Sequence, residues 1–213
     1  GGNNINSYSH LLQQNKWISP LSDLKAGSTP FLTRGGFKGE AWGKLHYDVY
    51  VKYAVHKGLL QFIGQPSDTT GKHATIEAIY SNHNEFSAGA SISWKSRNLD
   101  AGTSFRYSIY SDGKKSTFAD GLKPYGYAPF NLIVYGRYNL RERIFLGITA
   151  DINSTAPISD GYEAKGYCNL GIDASYLFNR NFALFLRGDN LLNAQIQHIP
   201  LYLEKGVSFT AEV

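Results

Sequence analysis

The chain has 213 residues, a formal net charge of +4 and a mean hydropathy of −0.30, with 14 % aromatic residues (15 Tyr), 22 Gly, only 18 % charged residues and no Met. That length suffices for one domain with a sizeable core, yet no apolar run approaches the ~20 residues of a transmembrane helix, and the single cysteine, Cys168, cannot close an internal disulfide. Lys and Arg are scattered rather than gathered into a stripe, which argues against nucleic acid as a partner, and the lack of Met predicts a processed or excerpted chain.

Residues 1–28, opening GGNNINSYSHLLQQNKW, carry no period and are read as a surface loop or N-terminal extension. From residue 29 to residue 213 a period of 2 wins over 3.6 almost throughout, the mark of strands with two unlike faces. In LHYDVYVKYAV, Leu45, Tyr47, Val49, Val51, Tyr53 and Val55 share one side against His46, Asp48, Tyr50, Lys52 and Ala54. EFSAGASISW divides into Phe86, Ala88, Ala90, Ile92 and Trp94 against Ser87, Gly89, Ser91 and Ser93. The same alternation continues through Phe105 and Tyr107, through Leu132 and Val134, through Leu146 and Ile148, and through Cys168, Leu170 and Ile172, where Cys168 acts as a small hydrophobe. Nine strands result: 29–41, 45–63, 74–95, 98–111, 127–139, 142–152, 162–177, 181–192 and 205–213.

The connections sort themselves. Short polar turns (42–44, 96–98, 140–142, 179–181) alternate with longer irregular ones (64–73, 112–126, 153–161, 193–204), the pattern of an all-β, antiparallel up-and-down transmembrane β-barrel with one tight end. Tyr47, Trp94, Tyr138, Tyr176 and Phe182 lie on the apolar face close to the short turns, as aromatics do at a membrane interface. The apolar rows are thus expected to face the lipid bilayer. A soluble lipid-binding barrel turned the other way is the rival, and its interior of Leu, Ile and Phe rows needs a large lipid cargo.

Near the C-terminus, FALFLRGDNLLNAQIQHIPLYLEKGVSFTAEV runs strand, long loop, last strand. It resembles the closing segment of TonB-dependent outer-membrane receptors, with NLLN at Asn190–Asn193, Pro200 and Tyr202 in the loop, and Gly206 opening the last strand. PLSDLKAGSTPFLTRGGFKGEAWGKLHYDVYVKYAVHKGLLQF is similar to an interior hairpin of the same barrels. The resemblance implies the C-terminal part of a β-barrel in the bacterial outer membrane, importing an unknown ligand with energy relayed by the TonB system through a plug. Two departures stand out: nothing in the 213 residues reads as a plug or TonB box, and Val213 stands where the family usually has an aromatic residue. Nine is an odd strand number, whereas single-chain bacterial barrels have an even one. Either the chain is part of a larger barrel or residues 1–28 add a tenth strand. A stand-alone structural or porin-like barrel without energy coupling is the alternative function.

Asp48, Lys52, Arg106, Arg137, Arg187 and Asp189 fall on the polar face. Within a barrel such charges pair across strands, meet water, or contact a plug or ligand. In the loops Tyr125, Tyr127 and Tyr202 offer rigid aromatic contacts to a ligand. The six histidines include no pair at i, i+4 on a helix, so no metal site is expected. GQPSDTTGKH at 64–73 has Pro66 and His73 where a phosphate loop needs Gly and Ser or Thr. His46 and Asp48 are neighbours without a nucleophile in evident reach, so no catalytic residue, no enzyme activity and no cofactor is expected.

Overall fold

A computed structural model describes residues 27–65, 75–112, 127–159, 162–179, 182–197 and 203–213. Eleven strands form: β1 (Ser28–Ala41), β2 (Leu45–Gln65), β3 (Thr75–Lys95), β4 (Leu99–Asp112), β5 (Phe130–Leu140), β6 (Ile144–Asn153), β7 (Ala156–Ser159), β8 (Tyr162–Ala164), β9 (Tyr167–Asn179), β10 (Phe182–Asp189) and β11 (Ser208–Glu212). Nine of them make one antiparallel sheet in the order β1-β2-β3-β4-β5-β6-β9-β10-β11, each strand beside its predecessor in that series. This is the up-and-down all-β architecture that the alternation of short and long connections demands.

Two short turns show how the tight end is made. Trp42 and Gly43 (φ 54° and 63°), like Arg141 and Glu142 (φ 54° and 57°), are consecutive left-handed residues, and their loops are closed by Lys44 N–H donating to the Ala41 carbonyl and Arg143 N–H to that of Leu140. β2 and β3 are 21 residues each, about twice the 9–11 residues that cross a bilayer. They are therefore longer than one bilayer crossing requires. A bulge interrupts β2 between His56 and Leu59, where Gly58 takes φ 63°.

One segment departs from the sequence reading. The stretch 153–161 is not an irregular loop, nor is 162–177 one strand: β7 and β8 form their own hairpin, and the sheet resumes only at Tyr167. Its sequence signal was present in ISDGY, an Asp-Gly pair between β-prone residues, but the apolar run that follows drew the strand boundary too early. At the other end, β10 stops at Asp189 and β11 begins at Ser208, so the connection between them is longer than the alternation suggests.

The core is inverted. Among the described residues the buried apolar ones are Ala54, Ala156, Ala164 and Ile196, while Ser81, His83, Glu85, Ser87, Ser108 and Asn190 are buried as well. Val51, Ile92, Leu146 and Ile172 are 46–51 % exposed, all on one face. A water-soluble domain buries Ile, Val, Leu and Phe first, so the soluble barrel with apolar residues inside does not describe this sheet.

Candidate functional site

The apolar face carries an aromatic row at the tight end. Tyr47, Trp94, Tyr138, Tyr176 and Phe182 are all exposed on it. Their register is oblique in a regular way: Tyr47 is opposite Ile92, two positions short of Trp94; the row through Trp94 reaches Gly136, two short of Tyr138; the row through Tyr138 reaches Ala174, two short of Tyr176. A level belt on tilted strands crosses the register at such a slant. Lys44 Nζ sits 5.9 Å from the Trp94 ring centroid, and Phe178 packs against Tyr176 (4.6 Å) and Phe182 (5.0 Å).

A second aromatic row, missed by the sequence reading, stands towards the long-loop end. Tyr53 is opposite Phe86, and Tyr107 is opposite Phe130, two positions nearer the turns than the row through Phe86. The slant has the same sense as in the first row. Trp94 and Phe86 are eight positions apart on β3, about 26 Å along a strand at ~3.3 Å per residue. The signal lay in the spacing of aromatics along each strand, which becomes a row only once register is known.

The polar face is laid out as follows. Asp48 accepts a 2.8 Å bond from Arg34, whose guanidinium lies 4.0 Å from the Tyr50 ring centroid. The end of the Tyr50 ring reaches over Gly89, where a Cβ would meet it at 2.5 Å, so glycine is required for that packing. Arg137 and Arg187 share one register row: Lys95, Asp100, Arg137, Gly147, Asp173, Arg187, Thr210. Charges alternate along it, and the Asp173 carboxylate occupies the space above Gly147, towards Arg137. Arg187 is also bound to Asp189 at 2.9 Å. Arg106 lies opposite Gly89 and Asn131 and makes no ion pair among the described residues. The six charged positions thus line one wall, spread over four strands rather than gathered into one pocket.

At the long-loop end the wall holds an ionic knot around a buried carboxylate. Glu85, 5 % exposed, accepts from Lys52 Nζ at 2.7 Å and from His56 Nε2 at 2.9 Å, while His56 Nδ1 meets Thr29 Oγ1 at 3.2 Å. Hydroxyl, imidazole and carboxylate are thus joined in series, with the second carboxylate oxygen held by Lys52. The arrangement works as a tie between β1, β2 and β3. Nearby, the Tyr127 ring packs 5.6 Å from Tyr110, and burial, then the Glu85 charge, push the Tyr127 phenol up, keeping it a neutral donor. Tyr125 and Tyr202 lie outside the described residues.

The NLLN segment has a definite geometry. Asn190 takes φ 51° and is 3 % exposed; its Nδ2 donates to the Ala194 and Lys205 carbonyls and its Oδ1 accepts from Ala194 N–H. Asn190 N–H in turn donates to Asn169 Oδ1. One side chain thus fastens the exit of β10 to the approach of β11, beside an open recess of about 580 Å³ lined by Asn169, Asp189, Lys205 and Ser208.

Sheet order, exposed apolar face and aromatic rows define an up-and-down antiparallel sheet of the kind that walls a β-barrel. Scanned against protein-family models the chain matches none, and no curated protein is detectably similar to it in sequence. Solved structures do resemble it: the copper transporter OprC, at TM-score 0.61 and 13 % identity over 84 % of this chain, and the ferric-catecholate import receptor Fiu of E. coli K12, at TM-score 0.58 and 14 % identity over 99 %. The chain spans only 30 % and 29 % of those two proteins' lengths. At this identity the likeness is one of fold: the protein has the strand architecture of part of a TonB-dependent receptor barrel, as the resemblance in its last strands implied. A transporter and a receptor, not enzymes, carry that architecture in both cases.

Proposed function

We propose that residues 29–213 form part of the wall of a bacterial outer-membrane import protein, the C-terminal part of a TonB-dependent receptor barrel, with residues 1–28 as a surface loop or N-terminal extension. In this reading the apolar face contacts lipid between the two aromatic rows. Tyr47, Trp94, Tyr138, Tyr176 and Phe182 mark the interface on the tight-turn side; Tyr53, Phe86, Tyr107 and Phe130 mark the other. The polar face lines the interior. Asp48, Lys52, Arg137, Arg187 and Asp189 hold it in charge balance, and Arg106 is the cation most available to a plug or an anionic group of a ligand. Tyr125, Tyr127 and Tyr202 contact the ligand from the loops, and energy comes from the TonB system through a plug domain.

The observation that supports this best is the inversion itself: Ile148 and Val51 are each 51 % exposed while Glu85 is 5 % exposed. No aqueous environment stabilises that distribution, whereas hydrocarbon does. A second support is topological. β1 and β11 are first and ninth in an antiparallel series, so they run in the same direction, and antiparallel closure needs an odd number of further strands. A larger barrel supplies them in this reading; a tenth strand from residues 1–28 is the other way to meet the same count.

The test is membrane association. After expression with an export signal in a Gram-negative host, the full chain should sediment with outer membranes, need detergent for release, and change gel mobility on boiling. A chain recovered folded in buffer without detergent overturns the proposal.

A further inference from the structure

On the apolar face one register row has a gap. Across β3 to β6 it reads Trp94, Ala101, Gly136, Ile148, and it lies between Leu99, Tyr138 and Leu146 on the short-turn side and Thr103, Val134 and Ala150 on the other. Over Gly136 this leaves a groove of about 260 Å³ whose lining includes Leu99, Tyr138, Leu146 and Ile148.

Nothing in the fold asks for glycine at 136. The register runs through it without a bulge, its φ is not positive, and among the described residues a Cβ there would meet Ile148 Cγ2 at 3.5 Å, an ordinary contact. On the polar face, by contrast, a Cβ on Gly89 would strike the Tyr50 ring at 2.5 Å and one on Gly102 the Ile92 carbonyl oxygen at 2.8 Å. Glycine inside a strand weakens it, and where packing does not require one it marks a close approach from outside.

The short-turn mouth of the groove is basic. Turns 42–44, 96–98 and 141–143 hold four exposed cations, Lys44, Arg97, Arg141 and Arg143, and one carboxylate, Glu142. Lys44 Nζ, 5.9 Å from the Trp94 ring centroid, leans to the apolar side. Arg97 bonds to Glu142 at 3.1 Å, with both side chains largely exposed, and Arg141 and Arg143 make no ion pair among the described residues.

The geometry points to a site for an anionic phospholipid: one acyl chain lies in the Gly136 groove and the phosphate-bearing headgroup meets the cations of the short turns. This rests on the reading of the apolar face as lipid-facing. The groove alone accepts the chain of any lipid; the turns select the anionic one, because Lys and Arg near a membrane surface attract negative headgroups and the guanidinium fork matches phosphate.

The test places the full chain in phosphatidylcholine vesicles, with Trp17 and Trp42 changed to Phe so that Trp94, in the register row of Gly136, reports alone. A minor share of the lipid is replaced by phosphatidylglycerol, or by phosphatidylcholine, with brominated acyl chains. The phosphatidylglycerol should be enriched at Trp94 at least about fivefold over the phosphatidylcholine, the weight of one cation near a membrane surface, and the excess should fall as salt rises. Gly136→Leu, which fills the groove, should bring the two lipids level; Gly136→Val, a better strand former, serves if the leucine variant does not insert. Arg141→Gln with Arg143→Gln should cut the excess without touching a strand. Equal quenching by the two lipids in the parent, or a preference that filling the groove or removing the arginines leaves intact, overturns the site while the face stays in lipid. Quenching that falls as the protein-to-lipid ratio rises puts a second copy of the chain on the groove and overturns it as well. Absence of quenching by either lipid overturns the lipid-facing reading itself, so the two failures are distinguishable.

Discussion

Ile148→Arg probes the lipid face where it is most sensitive. Ile148 is 51 % exposed on β6, and its register row runs through Gly136 and Ile172, between the two aromatic rows. Leu146, which periodicity alone puts at mid-strand, is opposite Tyr138 and so stands level with the tight-end aromatics. An arginine at a bilayer midplane costs about 2–4 kcal/mol in a barrel and about 0–1 near the interface. Unfolding from vesicles in urea, followed by tryptophan fluorescence, should move the midpoint of Ile148→Arg down by roughly 1 M or more if the slope is near 2–3 kcal/mol/M. Leu146→Arg should move it less. If Ile148 faced water, arginine there would be neutral or better; a midpoint within error of the parent, or a larger loss at Leu146 than at Ile148, refutes the placement of the membrane.

Other expectations concern the polar wall. Glu85→Gln strands Lys52 and His56, whose side chains are 24 % and 19 % exposed, and should cost about 1–3 kcal/mol; adding Lys52→Met should recover part of it, and additive losses would dissolve the knot as a unit. Gly89→Ala puts a methyl into the Tyr50 ring, so it should cost about 1–3 kcal/mol and much less in a Tyr50→Ala background, a coupling a double-mutant cycle reads directly. Asn190→Ala removes three side-chain hydrogen bonds at a left-handed residue, for a loss of about 1–3 kcal/mol. Limited proteolysis should then cut the β10–β11 connection faster; Asn190→Gly should relieve the strain but not the cutting.

The strand alternation was legible because the two faces of the sheet are unlike, which writes Leu45, Tyr47, Val49 and Val51 against His46, Asp48 and Tyr50 with few exceptions. The short turns were legible for the same reason, as the places where alternation stops. What stayed hidden depended on register. Tyr53, Phe86, Tyr107 and Phe130 form a row only across four strands; Asp173 reaches towards Arg137 only because Gly147 intervenes; and the Lys52–Glu85–His56 knot joins residues 29 to 33 positions apart. The β7–β8 hairpin was missed because local pattern decides that a segment is extended, not which sheet it joins. NLLN stood out as a motif, and the structure adds the reason: Asn190 bonds to both ends of the connection it begins.

The most direct measurement is a tryptophan scan along β6, one residue at a time from Leu146 to Asp151, with Trp42 and the other native tryptophans changed to Phe and the chain refolded into brominated lipid. Quenching should alternate, strong at Leu146, Ile148 and Ala150 and weak at Gly147, Thr149 and Asp151, with the maximum at Ile148. Uniform quenching, or the opposite phase, would contradict the claim that hydrocarbon covers the apolar face.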